Sequence, residues 1–224
     1  MKSIPKMLIF GLLELAIFGS IVFLSAGTLD FWQAWVFLAV FALSTWIPAI
    51  YLFSTNSTAL ERRMRAGPTA ETRPAQKAFI IGWYSTLAGI FVISGLDHRL
   101  DWSAVPTALC FAGDVLVALG LGVMMLVVIQ NSYAGATVRV EEGQKVISSG
   151  LYGLVRHPMY TGNVILMVGI PLALGSYWGL LFVVPGLIVL ILRIRDEEKL
   201  LTEELGGYSE YTQQVRYRLV PTMW

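Results

Sequence analysis

Apolar residues run through this chain in long unbroken blocks, not in the short alternations of a soluble domain. Blocks at about residues 7–26, 33–53, 78–96 and 105–130 each approach the ~20 residues that a bilayer crossing requires. Two more, 159–174 and 178–194, flank "LGSYWG", where Gly175 and Gly179 allow a tight hairpin. The first of this pair is short for a full crossing, so the pattern predicts five or six spans. Pro48, Pro171 and Pro185 fall inside these blocks, a placement that membrane helices tolerate. The N-terminal run is long for the core of a secretion signal, contains Glu14 and lacks a small-residue cleavage pattern. It is expected to be a retained first helix.

Polar positions gather in three places: "ALERRMRAGPTAETRPAQK", "NSYAGATVRVEEGQKVISSG" and the tail from Arg193 onward. The tail is predicted to begin as an amphipathic helix, with Leu200, Leu201 and Leu205 on one side and a stop at Gly206 and Gly207. Internal repeats, low-complexity tracts and a separate soluble domain are not seen. The chain divides into residues 1–130, four membrane helices, and residues 131–224, a C-terminal region with a helical hairpin.

Composition agrees: 56% of residues are hydrophobic and 14% charged, against about 25% charged in globular proteins. The expected fold is an all-α integral membrane bundle. A net charge of +1 offers no basic field for nucleic acid, and the single cysteine, Cys110, excludes a disulfide framework within the chain and a Cys-rich metal site. If the helices alternate, fifteen of the sixteen Lys and Arg residues share one side and only Arg99 lies opposite. By the positive-inside rule the N- and C-termini are then cytoplasmic.

The candidate chemistry lies on that basic side. Arg193 and Glu197, four apart, share a helical face near the boundary. They read either as a snorkelling arginine beside a solvated acidic run or as a clamp for an anion and an ammonium or hydroxyl group. His157, before a proline at a helix start, is either part of that start or a hydrogen-bonding ligand residue. The only other histidine, His98, is expected on the far side, so no metal site is predicted. Tyr152 and Tyr160 flank His157. Tyr208, Tyr211 and Tyr217 lie beyond any span, where an interfacial belt does not account for them. "LERRMR" reads as a positive-inside anchor or a contact for anionic headgroups. The glycines near 135, 143, 150 and 153 form neither a dinucleotide-binding nor a P-loop pattern.

Two blocks in combination, "GQKVISSGLYGLVRHPMYTGN" and "RIRDEEKLLTEELGGYSEYTQQVRYRLVP", resemble the isoprenylcysteine carboxyl methyltransferase family. That family groups with the phospholipid methyltransferases among integral-membrane, S-adenosylmethionine-dependent enzymes. The resemblance covers about residues 131–221. "LERRMRAGP" and "DHRLDWSAVP" look like stretches of bacterial members, which implies a bacterial inner membrane. It also implies a cytoplasmic cofactor pocket built by residues 131–224. Strand-like Gln144, Lys145, Val146 and Ile147 would line the cofactor, with Tyr152 packed on it. The His157–Pro158–Met159–Tyr160 turn would hold it, Glu197 would contact it, and Arg193 would meet the acceptor's carboxylate. Where many eukaryotic members have one more residue, this chain has "LGGY", so contacts are not carried over beyond Leu205.

The resemblance implies carboxyl O-methylation of an isoprenylcysteine-like acceptor. A phospholipid amine or a small thiol is the alternative within the class. Methyl transfer to an anion asks mainly for proximity and alignment, roughly 7–11 kcal/mol of barrier, and needs no general base. An NADPH-dependent membrane reductase of the sterol-reductase type has a similar C-terminal half but usually more spans. A non-enzymatic lipid-binding protein would leave Arg193, His157 and Glu197 as interface residues. The expected partners are a lipophilic small molecule or lipid and the membrane, with no nucleic acid and no obligate protein.

Overall fold

The computed structural model describes residues 3–64, 71–134 and 137–224, with side chains from Leu8 onward apart from Arg63 and Met64. Arg65 of "LERRMR" and Gly135 therefore lie outside the described residues. The described chain is helical, without strands: α1 (Ser3–Ala26), α2 (Trp32–Thr55), α3 (Ser57–Met64), α4 (Pro74–Leu100), α5 (Thr107–Gln130), α6 (Pro158–Ala173), α7 (Val183–Glu204) and α8 (Tyr208–Gln214). Short 3₁₀ turns precede α6 at Gly150–Gly153 and α7 at Trp178–Phe182.

Five of these helical stretches are long and apolar enough to cross a membrane. The sixth block forms α6, 16 residues and so about 24 Å long, short of a ~30 Å hydrocarbon core. The five-or-six expectation thus resolves into five full-length spans and one short helix.

Two local expectations are corrected. Gln144–Ile147 forms neither strand nor helix. The tail helix is not a separate element. With no Pro or Gly between Leu187 and Glu204, the last span continues directly into the polar tail, ending at Leu205 before left-handed Gly207.

The apolar faces divide between interior and lipid. Val22, Phe37, Phe91, Val117, Met167, Ile170, Leu190 and Ile194 join six helices in one core. Ile9, Leu24, Leu43, Ile81, Val115, Leu119 and Val184 face outward, as hydrocarbon solvent permits.

The closest pairing is antiparallel α5 on α6, along a seam of Gly113, Gly120, Gly162 and Gly169. A Cβ on Gly169 would lie 2.9 Å from the Val117 nitrogen and 3.0 Å from the Gly113 carbonyl oxygen. Gly169→Leu is therefore expected to lower the melting temperature in detergent, by the 1–3 kcal/mol typical of overpacking. A melting temperature equal to that of the parent would show that the backbones are not held this close.

At one end of the bundle, Asp97 Oδ2 accepts hydrogen bonds from Ser103 (2.7 Å) and Ser176 (2.5 Å). The His98 ring stacks on Phe31 at 3.9 Å. The α1–α2, α4–α5 and α6–α7 turns thus meet at that end, with Arg99 beside Gly27. Gly175 adopts φ +69° in the hairpin turn. Gly179 serves differently, because a Cβ there would meet Pro171 and the Ser94 hydroxyl. The polar loops and the tail gather at the opposite end.

Candidate functional site

The segment leading into α6 is clipped to the tail. Arg156 and His157 precede the helix, and their backbone N–H groups donate to the Tyr217 and Arg218 carbonyls, both at 2.9 Å. Pro158 then starts α6 at N1, where its missing N–H costs nothing.

Arg156 is 8% exposed, buried although it stands beside the start of a membrane helix. Its Nε donates to Glu198 Oε1 at 2.7 Å, and one terminal nitrogen reaches the Val215 and Arg216 carbonyls at 2.9 and 3.1 Å. Arg218 donates to Glu198 Oε2 at 2.8 Å, and His157 Nε2 lies 3.2 Å from Glu198 Oε1. Burial of these charges is tolerable because Glu198 gathers all three donors.

One helical turn brings Arg193 and Glu197 to the same face of α7, and Tyr160 of α6 joins them. Arg193 Nε donates to the Tyr160 hydroxyl at 2.8 Å, and that hydroxyl donates to Glu197 Oε2 at 2.5 Å. A buried phenol thus bridges a cation and a carboxylate. The His157 ring stacks over Tyr160 at 5.6 Å.

Tyr152, from the first 3₁₀ turn, accepts a hydrogen bond from Asn131 Nδ2 at 3.2 Å. Its carbonyl accepts one from the Tyr211 hydroxyl at 2.7 Å. Burial, with the Glu197 charge adding to it against the Asn131 hydrogen bond, pushes the Tyr152 phenol up to about 12. A phenol raised in the folded state contributes stability that is full below its unfolded value near 10 and is lost as pH rises through 12. Tyr152→Phe should therefore flatten the stability loss between about pH 10 and 12 in thermal melts. An unchanged alkaline limb would contradict this.

All eleven residues singled out in the sequence line a single cleft: Gln144, Lys145, Val146, Ile147, Tyr152, His157, Pro158, Met159, Tyr160, Arg193 and Glu197. They come from a loop, a 3₁₀ turn, the start of α6 and the end of α7. His157 lines the wall while its Nε2 faces Glu198, so it holds the tail as well as the cleft. The cleft has about 120 Å³ of free volume.

Leu201, Leu205, Tyr208, Tyr211 and Asn131 also line it. The sequence carried a signal for the tail tyrosines, since they lay beyond any span, but none for Asn131. The Tyr208 hydroxyl is buried in the wall and has no partner among the described residues. No group of His, Cys, Asp or Glu able to hold a metal occurs among the described residues.

Another neighbour could not be foreseen. Glu71, before α4, is 2% exposed and accepts the Val138 N–H at 2.9 Å. Beside it Gln76 and Arg73 donate to Asp196 at 2.6 and 3.0 Å, tying the start of α4 to α7.

Residues 109–207 match the family model described as phospholipid methyltransferase. A Delta(14)-sterol reductase of Mus musculus is 30% identical over 91 residues, covering 39% of this chain and 22% of the reductase. A probable 7-dehydrocholesterol reductase of Acanthamoeba polyphaga mimivirus is 32% identical over 99 residues, covering 41% and 22%. The chain thus matches only about a fifth of the length of these curated relatives. The family match contains all of α6 and α7, most of α5, and every one of the eleven cleft residues named from the sequence. The stretch that supplies those residues, 109–207, is thus the part of the chain that is similar to the phospholipid methyltransferase family.

Proposed function

We propose that the chain is an integral-membrane S-adenosylmethionine-dependent methyltransferase acting on a lipophilic acceptor at the cytoplasmic boundary. The reading rests above all on the cleft: residues named from two separate sequence blocks converge there, inside the family-matched region. Its chemistry suits the cofactor. Val146, Ile147, Leu201 and Leu205 offer apolar surface, Tyr152 an aromatic ring, Glu197 a carboxylate for an ammonium or hydroxyl group, and Tyr208 an unpaired buried hydroxyl.

When bound, S-adenosylmethionine supplies a methyl group already activated on a sulfonium, so the protein's share is binding and alignment. Glu197 offsets positive charge in the cleft, and Tyr160 holds Glu197 and Arg193 in fixed relation. Arg193, planar and always charged, orients the acceptor's carboxylate. Carboxyl O-methylation of an isoprenylcysteine-like substrate is the finer reading, with a phospholipid amine or small thiol as the alternative acceptor. The basic residues on the site's side of the bundle support a cytoplasmic location for it, where a soluble cofactor and a membrane-borne acceptor each arrive from their own phase.

The likeness to sterol reductases favours one second reading, an NADPH-dependent membrane reductase. Thermal stabilisation of the detergent-purified chain separates the two. Ligand at 100 times its Kd adds about 2.7 kcal/mol to the folded state. S-adenosylhomocysteine is expected to raise the melting temperature and NADPH to leave it unchanged, and the reverse result would replace the first reading by the second. An acceptor screen with labelled cofactor, comparing prenylcysteine analogues, thiols and phosphatidylethanolamine, then decides the substrate class.

A further inference from the structure

We infer that Glu71, outside the family-matched stretch, is a positioning residue that latches the segment 137–147 over the cleft. The inference rests on the methyltransferase reading for the identity of the ligand, though not for the latch itself.

The segment Thr137–Ile147 has no strand or helix of its own to hold it. Backbone outside helices and strands keeps its place only if its polar groups find partners elsewhere. Glu71 supplies the deepest of these. One carboxylate oxygen accepts the buried Val138 N–H at 2.9 Å, while the other accepts the Thr72 and Arg73 N–H groups at 2.9 and 3.1 Å. The carboxylate is thus fixed to the foot of α4 on one side and to the segment on the other. Hydrogen bonds to an ionised acceptor are about twice as strong as neutral ones.

A second hold comes from α3. Arg62 pairs with Glu141 at 2.9 Å, donates to the Ser132 carbonyl at 3.1 Å and lies 4.7 Å from the centre of the Tyr133 ring. The Arg62–Glu141 pair is partly solvated, so it is the weaker clasp. Glu71 also lies near enough to act electrostatically on Arg193. The connection between α2 and α4 therefore supports the outer wall of a cleft whose lining belongs to the C-terminal half.

The free volume shows why a latch matters. About 120 Å³ is well below the 300–1,000 Å³ that pockets for ligands of this size occupy. The position of the wall at 137–147 therefore bears on how much room a ligand finds. The segment 137–147 carries seven of the lining residues, from Thr137 to Ile147, and is held largely by side chains. Its resting position, and so the hold on a bound ligand, depends on Glu71.

Hydrogen exchange and S-adenosylhomocysteine affinity, measured on the full chain in detergent, test this. Glu71→Ala is expected to speed exchange in the peptide containing Val138 and to weaken S-adenosylhomocysteine about tenfold, the loss of roughly one charged hydrogen bond. Glu71→Gln keeps one of the two acceptor oxygens and sets an NH2 donor against the remaining N–H contacts, so it should fall between Glu71→Ala and the parent in both readouts. Equal exchange and affinity in Glu71→Ala and the parent would overturn the latch. If Glu71→Ala does not fold, the parent alone decides. S-adenosylhomocysteine should then slow exchange at 137–147 and at 71–73 together, and protection confined to 137–147 would overturn the inference. Failure of the parent to bind S-adenosylhomocysteine would instead strike the methyltransferase reading, while the apo exchange of Val138 in Glu71→Ala would still test the latch.

Discussion

Glu197→Gln is expected to abolish most S-adenosylhomocysteine binding, on the order of 10²–10³-fold, and to lower the melting temperature of the unliganded chain. The substitution preserves shape and leaves an oxygen that can still accept from Tyr160, so what it removes is the charge. Arg193, tied to Glu197 through the Tyr160 hydroxyl, then loses its nearest counter-charge on α7. Removing one partner of a buried pair typically costs 3–5 kcal/mol, because the other charge stays buried. Ligand and fold lose the same interaction, and a double-mutant comparison separates them. Arg193→Ala added to Glu197→Gln should recover part of the melting temperature without recovering binding. Because one hydroxyl serves both residues, Arg193→Ala alone is expected to weaken cofactor and acceptor together. Binding by Glu197→Gln within threefold of the parent would remove Glu197 from the cofactor site.

Glu198→Ala is expected to free the tail. Glu198 accepts from Arg156 and Arg218 and faces His157, with 12% of its side chain exposed. Its loss leaves the Arg156 guanidinium buried with only the Val215 and Arg216 carbonyls, again a penalty of about 3–5 kcal/mol. The tail carries Tyr208 and Tyr211 into the cleft wall, so unpinning it should also reduce ligand binding. Trypsin should then cut after Arg216 and Arg218 in Glu198→Ala at concentrations that leave the parent intact. Equal protection of the tail and an unchanged melting temperature would show that the cluster is incidental.

The two carboxylates, adjacent in sequence, divide the work because α7 turns them apart. Glu197 faces the cleft, with Tyr160 and Arg193. Glu198 faces the tail, with Arg156 and Arg218. The short motif around His157 is divided in the same way: Tyr160 points into the cleft chemistry, whereas Arg156 and the backbone of His157 hold residues 215–218.

What the sequence determined by itself follows from the bilayer as solvent. A chain with 56% hydrophobic residues in ~20-residue blocks must satisfy its backbone internally, and that makes it a helical bundle with recognisable spans. The pairing of Arg193 with Glu197 was also legible, because four residues make one helical turn. Tertiary structure alone decided the rest. No periodicity links Glu71 to Val138, 67 positions apart, or Arg156 to Glu198, 42 positions apart. Composition gave no warning that a boundary arginine would be buried, since its partners come from a tail that folds back over α6 and α7. The reach of such contacts depends on which helices pack together. Here the glycine seam between α5 and α6, by letting two backbones touch, sets where Tyr160 meets α7.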